Sequence, residues 1–496
     1  MHYSRMLTRI RDLRRLLLLA SLLVGAALVP GQSVLAGDQL PPSIQKVLDE
    51  WNVPGEAVSI LVQARGESQP RLRVNAETPR NPASVMKLFT TYAALEALGP
   101  AHTWETRVHA GGPVRDGRLQ GDLWIEGGGD PFLTAEDFWS LLGSLRRRGI
   151  EHIDGDLVFD TNRFAATARD PGAFDNRPYH AYNQSPHPLL VNLNAIKFEL
   201  ESLQAGEGVR VSMHPPLRNL PVENRLRADP SVWCGAYRWH VDYRVGGDAE
   251  APLAVLEGRQ GAGCGPRRLH RAGPPVETYV HGLFDALWTH WGGEFSGDWR
   301  TGTWVDTAAE PLVRHPSRPL AEVVRVTNKF SNNVMARQLA LNIAAERGLR
   351  PASEADGRAA VMEVLRSSGL ALDGFQLDEV AGLSRDNRIT VEHVAELLDH
   401  AYTSLVMPEF LASLPMTGVD GTLRNRFSGE PEAGRIRAKT GSINHVSGIG
   451  GYVRNRDNED LIIAVLVNHQ DAHRGSGTAI QNAVLRWAFN HAPAAL

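Results

Sequence analysis

Lysine is scarce in this chain of 496 residues. Among its 52 lysine and arginine residues only five are lysines, namely Lys46, Lys87, Lys197, Lys329 and Lys439. Arginine keeps its proton in a protein, whereas a lysine amine loses it more easily when it is buried or lies near another cation. The few positions that keep lysine therefore indicate places where a removable proton matters.

Cysteine is rarer still, and its spacing does not fit a metal site. Cys234 and Cys264 are the only two copies. In an exported protein they are candidates for one disulfide, and two free buried thiols are the alternative. Because the sequence also lacks an H-E-x-x-H motif, we expect no metal and no other cofactor.

Clustered positive charge is absent beyond the N-terminus. The formal net charge is −4, which argues against binding to nucleic acid. After residue 36 no apolar run approaches the length of a membrane-spanning helix, so we expect no integral membrane anchor in the mature chain. No interface can be recognised, and the oligomeric state stays open.

Residues 1–36 have the layout of a secretory signal peptide. Five arginines precede an apolar run at 16–29, and small residues follow at 34–36. This order of basic, apolar and small residues is typical of export signals. The apolar run is short for a membrane span, and an uncleaved N-terminal anchor is the alternative.

Strand-like and helix-like patterns alternate in a way that predicts a mixed fold. Strands are predicted at both ends of the mature chain, and helices dominate between residues 331 and 404. The middle of the chain shows a β-α-β rhythm from 117 to 159 and short alternating runs from 192 to 274. One α/β domain interrupted by insertions explains this order.

Ser84 and Lys87 form an S-x-x-K motif at the start of a predicted helix. This spacing puts the amine on the same helix face as the hydroxyl, which is a weak nucleophile until a base takes its proton. Burial and a second cation, for which Lys439 is the candidate, lower the pKa of such a lysine. The same motif occurs at Ser43 and Lys46, which we interpret as the exposed start of a first helix.

Two further motifs follow in order along the chain. Ser331-Asn332-Asn333 is an S-x-N motif, for which helix capping is the alternative, and Ser442-Ile443-Asn444 repeats the pattern. Lys439-Thr440-Gly441 lies in a predicted strand, where glycine permits a close approach or marks a bulge. The ordered set on helix, helix and strand is typical of penicillin-binding proteins and class A β-lactamases.

Three longer stretches extend this pattern, at 328–333, 382–390 and 414–423. With them the chain resembles the D-alanyl-D-alanine carboxypeptidase/endopeptidases of the class C low-molecular-mass penicillin-binding proteins, which are serine DD-peptidases. The 247 positions between Ser84 and Ser331 fit as well, because this family inserts extra domains there. The chain departs from the family at 379–381, where Glu-Val-Ala replaces the usual Asp-Gly-Ser.

The resemblance implies a fold class and a division of the chain. The expected fold is α/β (α+β), a penicillin-binding/β-lactamase-like domain with an antiparallel sheet and a helical cluster, interrupted by two inserted smaller domains. The predicted parts are a signal peptide at 1–36, a peptidase domain at 37–107 and 300–496, an inserted α/β domain at 108–190 and 270–299, and an inserted β-rich subdomain at 191–269.

The resemblance also assigns catalytic roles. It makes Ser84 the acylated nucleophile and Lys87 the general base. Ser331 is expected to relay a proton between Lys87, Lys439 and the leaving amine. The backbone N–H groups of Ser84 and Ser442 are expected to form the oxyanion hole.

Substrate binding is assigned in the same way. Asn333 is expected to hold a peptide carbonyl of the substrate, and Lys439 and Thr440, followed by Gly441, its terminal carboxylate. Lys329 matches a family lysine without a mechanistic role, and a solvated cation at a helix start is the plain alternative.

We therefore predict a periplasmic serine peptidase acting on peptidoglycan stem peptides. It would remove a terminal D-Ala, cut D-Ala–diaminopimelate crosslinks, or do both, and β-lactam antibiotics would acylate it as covalent inhibitors. The alternatives are a β-lactamase-type acyl-serine hydrolase and a catalytically silent cell-wall scaffold.

Overall fold

The computed structural model describes residues 40–491, apart from 168, 204–207, 249–250 and 306–309. The predicted signal peptide lies outside these residues. The helices of the described part are α1 Pro42–Glu50, α2 Lys87–Leu98, α3 Ala135–Arg147, α4 Tyr237–His240, α5 Val276–His290, α6 Leu320–Phe330, α7 Asn333–Glu346, α8 Glu354–Ser367, α9 Val391–Thr403, α10 Met407–Ser413 and α11 Ser476–His491. The strands are β1 Val58–Ala64, β2 Leu72–Val74, β3 Glu105–Ala110, β4 Val114–Arg115, β5 Arg118–Leu119, β6 Leu123–Glu126, β7 His152–Ile153, β8 Leu157–Asp160, β9 Ala195–Ser202, β10 Val209–His214, β11 Val222–Asp229, β12 Val241–Gly246, β13 Leu253–Gly261, β14 Arg267–Ala272, β15 Glu294–Phe295, β16 Trp299–Thr301, β17 Val313–Pro316, β18 Ile436–Ile443, β19 Val446–Arg454 and β20 Asp460–Asn468.

A five-stranded antiparallel sheet joins the two ends of the described chain. Its order is β18-β19-β20-β1-β2, with β18 at one edge. Strands β19 and β20 are buried along nearly their whole length, which their apolar sequences require because both faces of the sheet are covered. The hairpin loop between them spans 455–459.

Helices cover both faces of this sheet. Helix α2 and the helices α6 to α10 build one hydrophobic core, and α1 and α11 build another on the opposite face. Helix α2 is buried from Lys87 to Leu95. It therefore carries the lysine of the S-x-x-K motif into the interior next to the sheet.

The middle of the chain forms four further sheets around a third core, which runs from Val108 to Val313. Their orders are β16-β8-β6-β3-β17, β15-β7-β5-β4, β10-β9-β14 and β11-β13-β12. Cys234 and Cys264 form a disulfide in this region. The predicted domain boundaries stay a prediction. Among the helices of the described residues, none has both the length and the apolar character needed to cross a bilayer.

Two motif residues lie in backbone that differs from the prediction. Ser84 lies in a 3₁₀ turn, Ala83–Met86, that leads into α2. Ser331 does not begin a helix; it is in the left-handed conformation (φ 58°, ψ 41°) between α6 and α7. The capping residue of α7 is Asn332, whose side chain accepts a hydrogen bond from Met335 N. Helix capping therefore accounts for Asn332 but not for Ser331 and Asn333, whose side chains make other contacts.

Candidate active site

Ser84 sits on a tightly held turn. Ala83 has a φ of 46°, which is uncommon for a residue with a side chain and is maintained only by its surroundings. Asn81 supplies part of this support, because its Oδ1 accepts from Ala83 N at 2.9 Å and its Nδ2 donates to Ser384 O at 2.8 Å. The turn places Ser84 Oγ 3.0 Å from Lys87 Nζ.

Lys87 is fully buried and donates to three acceptors. Besides Ser84 Oγ these are Asn333 Oδ1 and Ala381 O, both at 2.6 Å. Burial lowers the pKa of Lys87 to about 7; the Glu379 carboxylate opposes this shift and the Arg337 guanidinium adds to it. The amine is therefore poised to exchange a proton with the Ser84 hydroxyl near neutral pH.

Glu379 and Arg337 shape the wall beside Lys87, and the sequence analysis assigned neither of them a role. They form an ion pair of 2.8 Å. Glu379 Oε2 also accepts from the N–H groups of Ala381 and Leu383, at 3.0 and 2.7 Å. The carboxylate thus fixes the loop that presents the Ala381 carbonyl to Lys87. The departure of positions 379–381 from the family pattern is the sequence signal from which Glu379 could have been found.

Ser331 and Lys439 form a second hydroxyl–amine pair. Lys439 is fully buried and donates to Ser331 Oγ at 2.8 Å and to Thr440 O at 2.7 Å. Burial, together with the charge of Lys87, holds the pKa of Lys439 well below its usual range. Two amines in one dry region disfavour simultaneous protonation, so the pair favours a state in which one of them is neutral.

Asn333 lies between Lys87 and a segment from the middle of the chain. Its Oδ1 accepts from Lys87 Nζ, and its Nδ2 donates to Tyr182 O at 3.2 Å. Tyr182 belongs to the 3₁₀ turn Ala181–Asn183, which the sequence analysis did not single out. Within the described residues Ser331 Oγ receives its hydrogen bond from Lys439, and Lys87 bonds to Asn333 instead.

Two glycines let neighbouring backbone segments approach the Ser84 turn more closely than any residue with a side chain could. A Cβ added to Gly441 would lie 2.8 Å from Ser84 N and 2.6 Å from Pro82 O. From the other side, Gly382 approaches so closely that a Cβ would lie 2.0 Å from Ala83 O. Gly441 pairs in regular register with Gly448, so close approach explains this glycine and a bulge does not.

The rest of the K-T-G strand lies along the sheet edge. Thr440 Oγ1 donates to Thr422 Oγ1 at 2.9 Å. Ser442 is exposed on the same strand, two residues further on. An edge strand that carries such hydroxyls can offer hydrogen bonds to an extended peptide and to its carboxylate.

Two other lysines behave differently from each other. Lys329 lies in the last turn of α6 and is buried, with Nζ 2.6 Å from Leu414 O and 2.8 Å from Asp420 Oδ1. The alternative of a solvated cation at a helix start is therefore wrong. Lys46 is exposed beside Glu50, in agreement with its interpretation as part of a first helix outside the site.

The fold and the site define a serine-nucleophile enzyme of the penicillin-binding class. The chain belongs to the D-Ala-D-Ala carboxypeptidase 3 (S13) family, whose model matches residues 40–490. This confirms the resemblance that the motifs indicated.

Relatives agree with this assignment over most of the chain. The D-alanyl-D-alanine carboxypeptidase of Actinomadura sp. (strain R39) is 30% identical over 463 residues, which cover 90% of this chain and 84% of the relative. The D-alanyl-D-alanine carboxypeptidase DacB of Haemophilus influenzae is 27% identical over 434 residues, covering 84% of this chain and 86% of the relative. Among solved structures, penicillin binding protein 4 (dacB) from Haemophilus influenzae superimposes with a TM-score of 0.76 at 24% identity, covering 90% of this chain and 99% of that one. The predicted fold class is thereby confirmed.

Proposed function

We propose that this protein is a periplasmic serine DD-peptidase that removes the terminal D-Ala of peptidoglycan stem peptides and also cleaves D-Ala–diaminopimelate crosslinks. One observation carries the proposal: Ser84 Oγ lies 3.0 Å from the buried amine of Lys87, whose pKa is lowered to about 7. A hydroxyl beside a neutral amine is an activated nucleophile.

In the acylation step Lys87 takes the Ser84 proton while Oγ attacks the carbonyl carbon of the penultimate D-Ala. The carbonyl oxygen becomes an oxyanion, for which the N–H groups of Ser84 and Ser442 are the proposed donors. The close approach of Gly441 to Ser84 N supports this assignment, because it leaves the space in front of the turn to a small atom.

Collapse of the tetrahedral intermediate breaks the C–N bond, and the departing amine needs a proton. Ser331 Oγ is proposed to donate it and to be resupplied by Lys439, which lies 2.8 Å away. Lys87 is proposed to pass the proton taken from Ser84 back through Ser331 to Lys439, which leaves the Lys87 amine neutral again. Water then attacks the acyl-Ser84 ester with Lys87 as base, and Lys87 returns the proton to Ser84 Oγ as the shortened peptide leaves. Protons and bonds balance over the cycle without another group.

Substrate binding along β18 follows from its place at the sheet edge. The terminal carboxylate is assigned to Thr440 and to the charge of Lys439, and the peptide carbonyl on the acyl side to Asn333. In a crosslink the departing amine of diaminopimelate also bears a carboxylate on the adjacent carbon. The same hydroxyl and amine groups therefore fit both leaving groups.

Export to the periplasm is proposed on two grounds. The first 36 residues have the layout of an export signal. The Cys234–Cys264 disulfide is of a kind that persists in oxidising compartments and is rare in the cytosol.

Digestion of purified muropeptides tests the proposal directly. The enzyme is given a monomeric pentapeptide and a crosslinked dimer, and released D-Ala and monomers are quantified; in parallel, fluorescent penicillin should label the native chain at Ser84. Equal labelling of Ser84→Ala would contradict the nucleophile assignment. Rapid hydrolysis of benzylpenicillin without peptide cleavage would favour the β-lactamase alternative, and inactivity in every assay a scaffold.

A further inference from the structure

A cavity of about 590 Å³ opens beside the K-T-G strand. Thr440 and Ser442 form part of its wall. The cavity therefore adjoins Thr440, to which the carboxylate of the leaving residue is assigned. The loop after Thr422, which includes Arg426 and Glu430, and helix α11 form most of the other walls, together with part of β19 and residues 472–473.

Arg426 is the unusual residue of this cavity. Its guanidinium donates to Gln481 Oε1 at 3.0 Å, to Thr478 O at 3.3 Å and to Asn482 Oδ1. All three acceptors are neutral, and in the described parts of the chain no carboxylate lies within ion-pair distance of it. Burial alone lowers the pKa of Arg426 to about 10.

The second arginine of the cavity provides a contrast. Arg486 is exposed and paired with Glu430, so its charge is balanced. A partly buried cation without a counter-charge is costly, and proteins rarely keep one unless something else neutralises it. Three of the five guanidinium N–H groups of Arg426 are used by the neutral acceptors, which leaves two for a ligand.

The two proposed leaving groups differ in what lies beyond the scissile amine. D-Ala ends at its carboxylate, whereas the leaving half of a crosslink continues through the diaminopimelate side chain into a stem peptide that bears further carboxylates. Only this longer group reaches past Thr440, into space that a departing D-Ala leaves empty.

We propose that this cavity is a subsite for the departing stem peptide of a crosslink and that Arg426 binds one of its carboxylates. The inference rests on the proposed endopeptidase function and adds a recognition element to it. Arginine and carboxylate match in geometry and form strong charge-assisted hydrogen bonds. The bound carboxylate would also supply the counter-charge that Arg426 lacks in the described chain.

The test compares two substrates across three variants. With Arg426→Gln, kcat/KM for a crosslinked muropeptide dimer should fall about 10- to 100-fold, the range expected for loss of a charge-assisted hydrogen bond. The fall on a monomeric pentapeptide should be at least fivefold smaller. Arg426→Lys should recover part of the dimer activity. The matched control Arg486→Gln removes a paired arginine from the same cavity and should change the two substrates equally, by about twofold or less.

A binding measurement separates failure of this inference from failure of the proposed function. In the Ser84→Ala background the dimer should bind more tightly than the pentapeptide, and Arg426→Gln should abolish the difference. If the native enzyme does not cleave the dimer, the endopeptidase proposal fails. If Arg426→Gln lowers kcat/KM equally for the two substrates, or if the variant still binds the dimer more tightly than the pentapeptide, the proposed subsite is wrong. Thermal unfolding of every variant, and penicillin labelling of those that keep Ser84, show whether each variant is folded.

Discussion

Arg337 and Glu379 form a buried ion pair next to the amine of Lys87, with 2.8 Å between Arg337 Nε and Glu379 Oε1. Their charges act on the pKa of Lys87 in opposite directions, since the carboxylate raises it and the guanidinium lowers it. The pair thus balances the proton affinity of the proposed base without bonding to the nucleophile. It belongs to the functional site although it does not contact the reacting atoms.

Replacing Lys87 by arginine tests the proposed base. The charge stays, but the removable proton is lost, and we expect acylation to slow by about 10²- to 10⁴-fold, the usual contribution of a general base. The rate of labelling by fluorescent penicillin measures this step. Lys46→Arg, in the exposed second S-x-x-K motif, is the matched control and should label at the native rate. Near-native labelling of Lys87→Arg would mean that the base lies elsewhere.

The pH dependence of acylation should reflect the lowered pKa of Lys87. Because the neutral amine is the active form and its pKa is about 7, the rate should fall as pH drops through 7 and level off above about pH 8. Penicillin labelling rates between pH 5.5 and 9 give the profile. A rate that keeps rising up to about pH 10 would show that Lys87 retains the pKa of an ordinary lysine.

The ion pair should set the position of that profile. Arg337→Gln removes the cation that lowers the pKa of Lys87, so the rising limb should move to higher pH. Glu379→Gln removes the anion that raises it, and the limb should move to lower pH. Each change also breaks a buried pair and should cost about 3–5 kcal/mol of unfolding free energy, which urea denaturation measures. If both variants lose stability but their pH profiles of acylation do not move, the ion pair has only a structural role.

The sequence was sufficient for the motifs and the overall fold because both rest on local patterns. The continuous apolar runs of strands β1 and β20, the buried helix α2 and the hydroxyl–lysine spacing of Ser84 and Lys87 are all local features of the sequence. Helix α10 was missed because it has only seven residues and no side-chain cap. Helix α6 was missed although its buried residues recur at helical spacing, and only its N-terminal capping signal is absent.

Contacts between residues far apart in the chain could not be predicted from the sequence. The carbonyl of Tyr182 reaches Asn333 from 151 positions away, and the Arg337–Glu379 pair joins a helix to a loop 42 positions further on. Neither contact leaves a periodic signal, since only the tertiary fold brings these residues together. Ser331 was placed in a helix because its left-handed conformation is rare for serine and cannot be read from composition.

Gly441 should be intolerant of any side chain. A methyl group there would lie 2.8 Å from Ser84 N, in the space proposed for the oxyanion, so Gly441→Ala should slow acylation by about 10²-fold or more. Gly55, whose Cβ position has no neighbour within 4 Å, is the control, and Gly55→Ala should label at the native rate. An unimpaired Gly441→Ala enzyme would show that the Ser84 turn can retreat without loss of function.

Lys329 should matter for stability and for the placement of Ser331, with no part in proton transfer. Its amine links the end of α6 to Leu414 O and to Asp420, and it lies two residues before Ser331. Lys329→Met strands these acceptors and should cost about 2–4 kcal/mol of unfolding free energy, whereas Lys46→Met, which removes an exposed pair, should cost about 1 kcal/mol or less. Urea unfolding measures both. Because Lys329 is not proposed to exchange a proton, the residual acylation of Lys329→Met should keep the native pH profile. A displaced profile would assign Lys329 to the titrating system of the site and contradict its role as an anchor.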